Sequence, residues 1–263
     1  MSQNLVVPTM AEMMARGETP EVLFWVGCSG SFDDRAKKIT KAFVKILNKA
    51  NVSFAVLGTE EGCTGDPAKR AGNEFAFQMQ AMMNIQVLDG YEVKKIVTAC
   101  PHCFNTLKNE YPDLGGKYEV VHHTEFLKSL LDEGRLTIEG GQFKGKRITF
   151  HDPCYLGRAN QVYEAPRQLI EKLDAELVEM KRSRANGFCC GAGGAQLFKE
   201  PEHGDKEVHV ERTEEAIGTN AEIIAAGCPF CNTMLTDGVK FKEKESQVKV
   251  LDVAELIANA EDL

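Results

Sequence analysis

Nine cysteines are the residues most able to do chemistry in this chain, and they fall into two copies of one spaced pattern. The first copy is Cys28, Cys63, Cys100 and Cys103; the second is Cys154, Cys189, Cys190, Cys228 and Cys231. Cys28 and Cys154 stand 126 residues apart, as do Cys63 and Cys189, while Cys100 and Cys228 stand 128 apart. Chance does not keep intervals of that length. The neighbouring text repeats too, since KKIVTACPHCFNTLKNEY reads like AEIIAAGCPFCNTMLTDGVK and EGCTG reads like FCCGAGG. Each half is therefore one folding unit of a duplicated chain. Thiols at such spacing serve as ligands of soft or borderline metals, or as redox dithiols.

Three readings compete. A thioredoxin-like dithiol fits CPHC and CPFC but leaves Cys28, Cys63, Cys154, Cys189 and Cys190 unexplained. Zinc suits the four thiols of the first half, which could close a tetrahedral structural site. The five thiols of the second half exceed what one zinc uses and suit an iron–sulfur cluster. Each C-x-x-C follows a strand-like run and opens a helical stretch, with a proline placed where helix starts favour it. The thiolates would face the positive helix N-terminus, which lowers thiol pKa. In CCGAGG, Gly191, Gly193 and Gly194 either bring backbone N–H groups close to bound sulfide or simply make a turn.

His151-Asp152-Pro153-Cys154 sets an imidazole beside a candidate ligand, with Arg158 beyond it. His151 is a candidate catalytic residue, as proton donor or substrate anchor; the alternative is a strand-end residue satisfied by a backbone carbonyl. His102 is expected to face solvent. His122 and His123 align with Leu251 and Asp252, a mismatch that speaks against a shared catalytic role.

These residues need elements to hold them. The first half reads as a strand at EVLFWVG, a helix over residues 33–49, a strand at VSFAVLG, a long helix over 67–83 and a strand at KKIVTA. The second half repeats this with KRITFHD, a helix near 161–173, AELVEM, a helix near 206–217 and AEIIAA. A strand and a helix close each half, YEVVHH with TEFLKSLL and QVKVLD with VAELIANA. Strands alternating with helices indicate parallel α/β sheets, whose binding crevices lie at strand C-terminal ends, where Cys28, Cys100, Cys154 and Cys228 all fall. Residues 1–20 form an arm or short surface helix whose methionines pack on the body or on a partner subunit. Lobes follow over 21–140 and 141–263, joined by the Gly-rich stretch near residue 140.

A net charge of −8 and a pI of about 5.4 exclude a nucleic-acid-binding surface, and 43% hydrophobic residues can fill real cores. No run approaches the ~18 apolar residues that cross a bilayer, and the N-terminus lacks a secretory pattern. The expectation is a cytoplasmic protein whose thiols stay reduced, with any membrane attachment made through a partner.

CTG and CCG, each preceded by a distant cysteine and followed by CPHC or CPFC, resemble the cysteine-rich CCG-domain pattern. The chain is similar to the CCG-domain component of heterodisulfide reductase and to iron–sulfur subunits of glycolate oxidase, lactate utilisation and anaerobic glycerol-3-phosphate dehydrogenase systems. The resemblance covers nearly everything after residue 20. It implies two tandem Rossmann-like α/β lobes with parallel sheets. It also implies that Cys154, Cys189, Cys190, Cys228 and Cys231 match the ligands of a noncubane [4Fe-4S] cluster. Cys28, Cys63, Cys100 and Cys103 match the first motif, but Thr64 stands where a fifth cysteine would be, so a cubane [4Fe-4S] cluster, zinc or no metal is implied there.

The expected function is an iron–sulfur subunit of an oxidoreductase complex that passes electrons to or from a thiol/disulfide, a quinone or an organic-acid dehydrogenase partner. The alternatives are a heterodisulfide-reductase-like catalyst acting on a disulfide directly and a zinc-stabilised scaffold. No ferredoxin-type run, flavin or nicotinamide fingerprint, or haem motif is present, so a ferredoxin-like or flavoprotein partner subunit is expected to exchange the electrons. Substrate contacts are expected from loops near His151, Arg158 and Glu200-Pro201-Glu202-His203.

Overall fold

The computed structural model describes residues 5–139, 141–200 and 204–263. The first half runs α1 (Met10–Ala15), β1 (Val22–Trp25), α2 (Gly27–Phe32), α3 (Ala36–Lys49), β2 (Phe54–Ala55), α4 (Asp66–Arg70), α5 (Glu74–Gly90), β3 (Lys95–Thr98), α6 (Pro101–Asn105), β4 (Glu119–His122) and α7 (His123–Asp132). The second runs β5 (Arg147–His151), α8 (Glu164–Glu171), β6 (Glu176–Leu177), α9 (Val208–Gly218), β7 (Ile223–Ala226), α10 (Pro229–Phe241), β8 (Lys249–Asp252) and α11 (Val253–Ala260).

The strands make two parallel four-stranded sheets, ordered β2-β1-β3-β4 and β6-β5-β7-β8, as a duplicated α/β chain requires. Every residue of β1 is buried, the signature of a strand covered on both faces. Its side chains alternate between two cores: Val22 and Phe24 join one, Leu23 and Trp25 the other. The order puts β1 beside β3 and β5 beside β7, with Trp25 paired to Thr98 and His151 to Ala226 at the strand ends. The chain direction switches there, and the crevice at such a switch point receives the segments that follow each strand.

Helices α3 and α11 pack together across the halves, and α7 packs on α8, so equivalent helices exchange partners about a pseudo-two-fold axis. In α3, Ile39, Phe43, Ile46 and Leu47 are buried at helical spacing while Lys38, Lys41 and Lys49 are exposed. One hydrophobic cluster runs from Phe43, Ile46 and Leu47 of α3 through Phe126 and Leu130 to Leu169, Leu256 and Ile257, joining both halves.

Several expected boundaries shift. The helix expected over 67–83 is two, α4 and α5, because Gly72 adopts φ +86° and Asn73 caps α5 by accepting the Ala76 N–H at 3.1 Å. The helix expected from residue 33 is preceded by the short α2, which contains Cys28. Met10 and Met13 of α1 are buried in the body, and Thr9 bridges to Val56.

Candidate metal centre

In the first half, Cys28 lies in the first turn of α2, Cys63 in the loop after β2, Cys100 at the N-cap of α6 and Cys103 in its first turn. All nine cysteines of the chain are free. The thiols of Cys28 and Cys63 perturb each other's ionisation, as do those of Cys100 and Cys103, and the two pairs interact electrostatically. Interaction with the Cys28 thiol outweighs burial and holds the Cys63 thiol down to about 6, helped by the Gly65 N–H at 3.4 Å, while Cys28 is pushed up in return. Burial opposes ionisation of Cys100, but interaction with the Cys103 thiol and the nearby His102 charge hold it below the usual thiol range. Thr64 is buried and reaches its hydroxyl to 3.8 Å from Cys103 Sγ.

In the second half, Cys154 follows β5, Cys189 and Cys190 follow β6, and Cys228 caps α10 with Cys231 in its first turn. Thiol–thiol interactions couple the ionisation of Cys154 to Cys189, Cys189 to Cys190, Cys190 to Cys231 and Cys231 to Cys228. Interaction with the Cys154 and Cys190 thiols holds the Cys189 thiol far below its usual range against burial, and Cys154 and Cys190 are pushed up in return. Cys190 stands to Cys231 as Thr64 stands to Cys103, so the hydroxyl occupies the fifth thiol's place.

One turn recurs in both halves. Gly65 (φ +87°) and Gly191 (φ +91°) each donate a backbone N–H to the cysteine two residues earlier, at 3.4 and 3.3 Å. A Cβ at Gly191 would sit 3.1 Å from Val208 Cβ, and one at Gly65 would sit 2.9 Å from the Phe77 ring. The glycines therefore combine a left-handed backbone with close approach.

The donor set fits a thiol-ligated metal group. Its sulfurs are buried or half-buried and come from separate strand ends, and a bound metal would displace their protons. The C-x-x-C pairs are not isolated dithiols, because each belongs to a larger connected set.

His102 lies between the two sets. It is 8% exposed, which corrects the expectation that it faces solvent. Its Nδ1–H donates to Asp66 Oδ2 at 2.8 Å, and its ring sits 4.6 Å from Tyr155 and 5.3 Å from Phe230. Burial disfavours the imidazolium, but Asp66 and the charges of Cys100 and Cys228, one from each half, lift its pKa to about 9. Glu61 accepts the N–H groups of Val26 and Gly27 at 3.0 and 2.6 Å beside Cys28 and Cys63, and burial raises its pKa to about 7.

His151 is wholly buried, and its Nδ1 accepts from Arg212 Nε at 2.9 Å, so a guanidinium and not a backbone carbonyl is the partner of that nitrogen. Burial and the Arg212 charge push its pKa down to about 3 and keep it neutral. Arg158 is exposed in a turn and donates to the Gly187 carbonyl. Of the stretch named with it, Pro201, Glu202 and His203 lie outside the described residues. Strand register aligns His122, not His123, with Asp252: both end their strands and cap the next helix, with Glu125 and Glu255 completing the caps. His123 Nε2–H reaches Asp252 Oδ1 at 2.8 Å across the halves.

Sequence reasoning missed Asp66, Glu61, Tyr155, Trp25 and Arg212. Trp25 was readable from the repeat, since it stands three residues before Cys28 as His151 stands before Cys154. Arg212 left no signal, because only the fold brings α9 to the end of β5.

Residues 22–108 and 148–236 match the family model described as "Cysteine-rich domain" (CCG). The chain is 50% identical to "Probable iron-sulfur-binding oxidoreductase FadF" of Bacillus subtilis, over 97% of this chain and 36% of that one. It is 44% identical to "EtfAB:quinone oxidoreductase" of Syntrophomonas wolfei, over 93% of this chain and 35% of that one. It is 35% identical to one subunit of the dihydromethanophenazine:CoB--CoM heterodisulfide reductase of Methanosarcina barkeri, over 91% and 59% respectively. The chain spans about a third of the length of the first two relatives. With the cysteine-rich domain matched in both halves, the chain belongs to the CCG family.

Proposed function

We propose that this chain is the iron–sulfur module of an oxidoreductase that relays electrons between a ferredoxin-like or flavoprotein partner and a quinone or thiol/disulfide acceptor. The observation that carries it is the connected five-thiol set at the switch point of the second sheet, set against a four-thiol copy with one imidazole between them. In this reading Cys154, Cys189, Cys190, Cys228 and Cys231 hold a [4Fe-4S] cluster of noncubane type, and Cys28, Cys63, Cys100 and Cys103 hold a [4Fe-4S] cluster or zinc. The reading divides the chain into an arm, residues 1–20, and lobes over 21–140 and 141–263.

A bound cluster supplies one-electron chemistry at a potential set by its charge, sulfur hydrogen bonds and solvent exposure. The protein's own residues set those terms. Gly191 and Gly65 direct N–H dipoles at cysteine sulfur. His102, its proton shared with Asp66, holds positive charge beside Cys100 and Cys228 and favours negative charge arriving on either side. Among the described residues no helix is long and apolar enough to cross a membrane. A cytoplasmic location, or a membrane-peripheral one held by the partner, completes the proposal.

The second reading is direct reduction of a disulfide at the second thiol set. The test reduces the protein anaerobically with a flavoprotein electron carrier, then offers a quinone or a small disulfide. Reoxidation by quinone without thiol release supports the relay. Two thiols released per disulfide, at a cost of two electrons and two protons, make the chain a catalyst instead, and no redox-active signal ends both readings.

A further inference from the structure

The ring of His151 has one nitrogen accounted for and one that is not. Arg212 is fully buried and donates its Nε–H to His151 Nδ1 at 2.9 Å. A guanidinium has no acceptor and keeps its protons in a protein, so Nδ1 must be the acceptor. The neutral ring then carries its proton on Nε2. That Nε2 is buried and has no hydrogen-bond partner among the described residues. Native interiors rarely leave such a donor unmatched, because the lost solvation costs about 1–3 kcal/mol. A ring nitrogen of His151 and the Sγ atoms of Cys190 and Cys231 all lie within 4.8 Å of one another.

The first half repeats the arrangement with a different ring. Trp25 ends β1 as His151 ends β5. It is wholly buried in the core cluster that includes Cys100 and Cys103, and its Nε1 also lacks a partner among the described residues. An indole nitrogen can only donate. Two unrelated side chains at one repeated position thus share a single property, a buried ring N–H on the thiol side of the sheet.

We propose that His151 donates an Nε2–H hydrogen bond to sulfur of the group held by the second thiol set, as a positioning residue that sets its reduction potential. This rests on the iron–sulfur reading above. An N–H···S bond stabilises the more negative, reduced state and raises the potential. His151 is then neither a metal ligand nor a general base, since both roles need an Nε2 lone pair that the Arg212 bond denies the neutral ring.

Replacing His151 by Phe removes the donor, whereas His151→Gln keeps a side-chain N–H. The potential of the second-lobe centre, followed by EPR, should fall in His151→Phe and fall less in His151→Gln, with iron and labile sulfide per chain unchanged. An unchanged potential overturns the proposal, and so does iron loss of the kind a missing ligand causes. Because His151→Phe strands the buried Arg212 N–H, that variant can fail to fold, so wild-type protein provides a second test. With isotopically labelled histidine, pulsed EPR should show a weak nitrogen coupling and a proton coupling that deuterated water removes. A strong, directly coordinated nitrogen coupling overturns the proposal, as does the absence of any. Wild-type protein lacking iron and labile sulfide would instead bring down the iron–sulfur reading itself.

Discussion

At the scale of single residues, the difference between the two thiol sets comes down to position 64. Thr64 and Cys190 occupy equivalent places beside Cys103 and Cys231, so the fifth thiol is the main local distinction between the sets. Cys190→Ser should alter the EPR and absorption spectra of the second-lobe centre while the protein stays folded by circular dichroism, because four thiols remain. Unaltered spectra would refute the noncubane assignment. Thr64→Cys is the reciprocal change, and it should bring the first-lobe spectrum toward that of the second. The two thiol sets were legible because the repeated cysteine spacing is written directly in the chain. Burial of His102 was not, because the residues that cover it, Tyr155 and Phe230, come from the other half.

Elements fix the sulfur geometry through caps and tight turns. Gly191 holds a left-handed conformation with Val208 against its open side, so Gly191→Ala should cost about 1–2 kcal/mol in urea unfolding and weaken the N–H contact to Cys189. Gly193→Ala, with open space around it, is the control and should change stability by less than about 0.5 kcal/mol. The cap at His122 carries a pH signature. Burial, and then the neighbouring His123, push the His122 pKa well below its ordinary value, so the folded state keeps it neutral. Below about pH 6.5 the unfolded chain binds the extra proton, and stability is lost as pH falls, by about 1.4 kcal/mol per pH unit for each such histidine. His151, depressed to about 3, adds to the same slope. Unfolding between pH 7 and 5 should show this dependence, reduced in His122→Gln; an identical slope in that variant would remove His122 from the account. Strand positions were readable from apolar runs. The break between α4 and α5 and the α2 turn around Cys28 were less so, because each depends on backbone conformations at one or two residues.

At the scale of the molecule, the duplication sets two sheets against each other through equivalent helices, and Arg35 fastens them. Its guanidinium makes a bidentate pair with Glu255 at 2.8 and 2.7 Å and also reaches the Val250 carbonyl and buried Asn232. Arg35→Met should therefore cost about 3 kcal/mol in urea unfolding, because Glu255 is left with little solvent in exchange. A loss under about 0.5 kcal/mol would mean the halves are held by their apolar contacts alone. No pattern in the sequence paired Arg35 with Glu255, since nothing local records which helices meet across a pseudo-two-fold axis. The relay account depends on both thiol sets lying around one imidazole, and its foundation is the identity of the bound metal. Iron, zinc and acid-labile sulfide per chain on anaerobically purified protein, with EPR of oxidised and reduced forms, test it most directly. The account predicts iron and sulfide in similar amounts with a redox-dependent signal. Zinc without labile sulfide would contradict it.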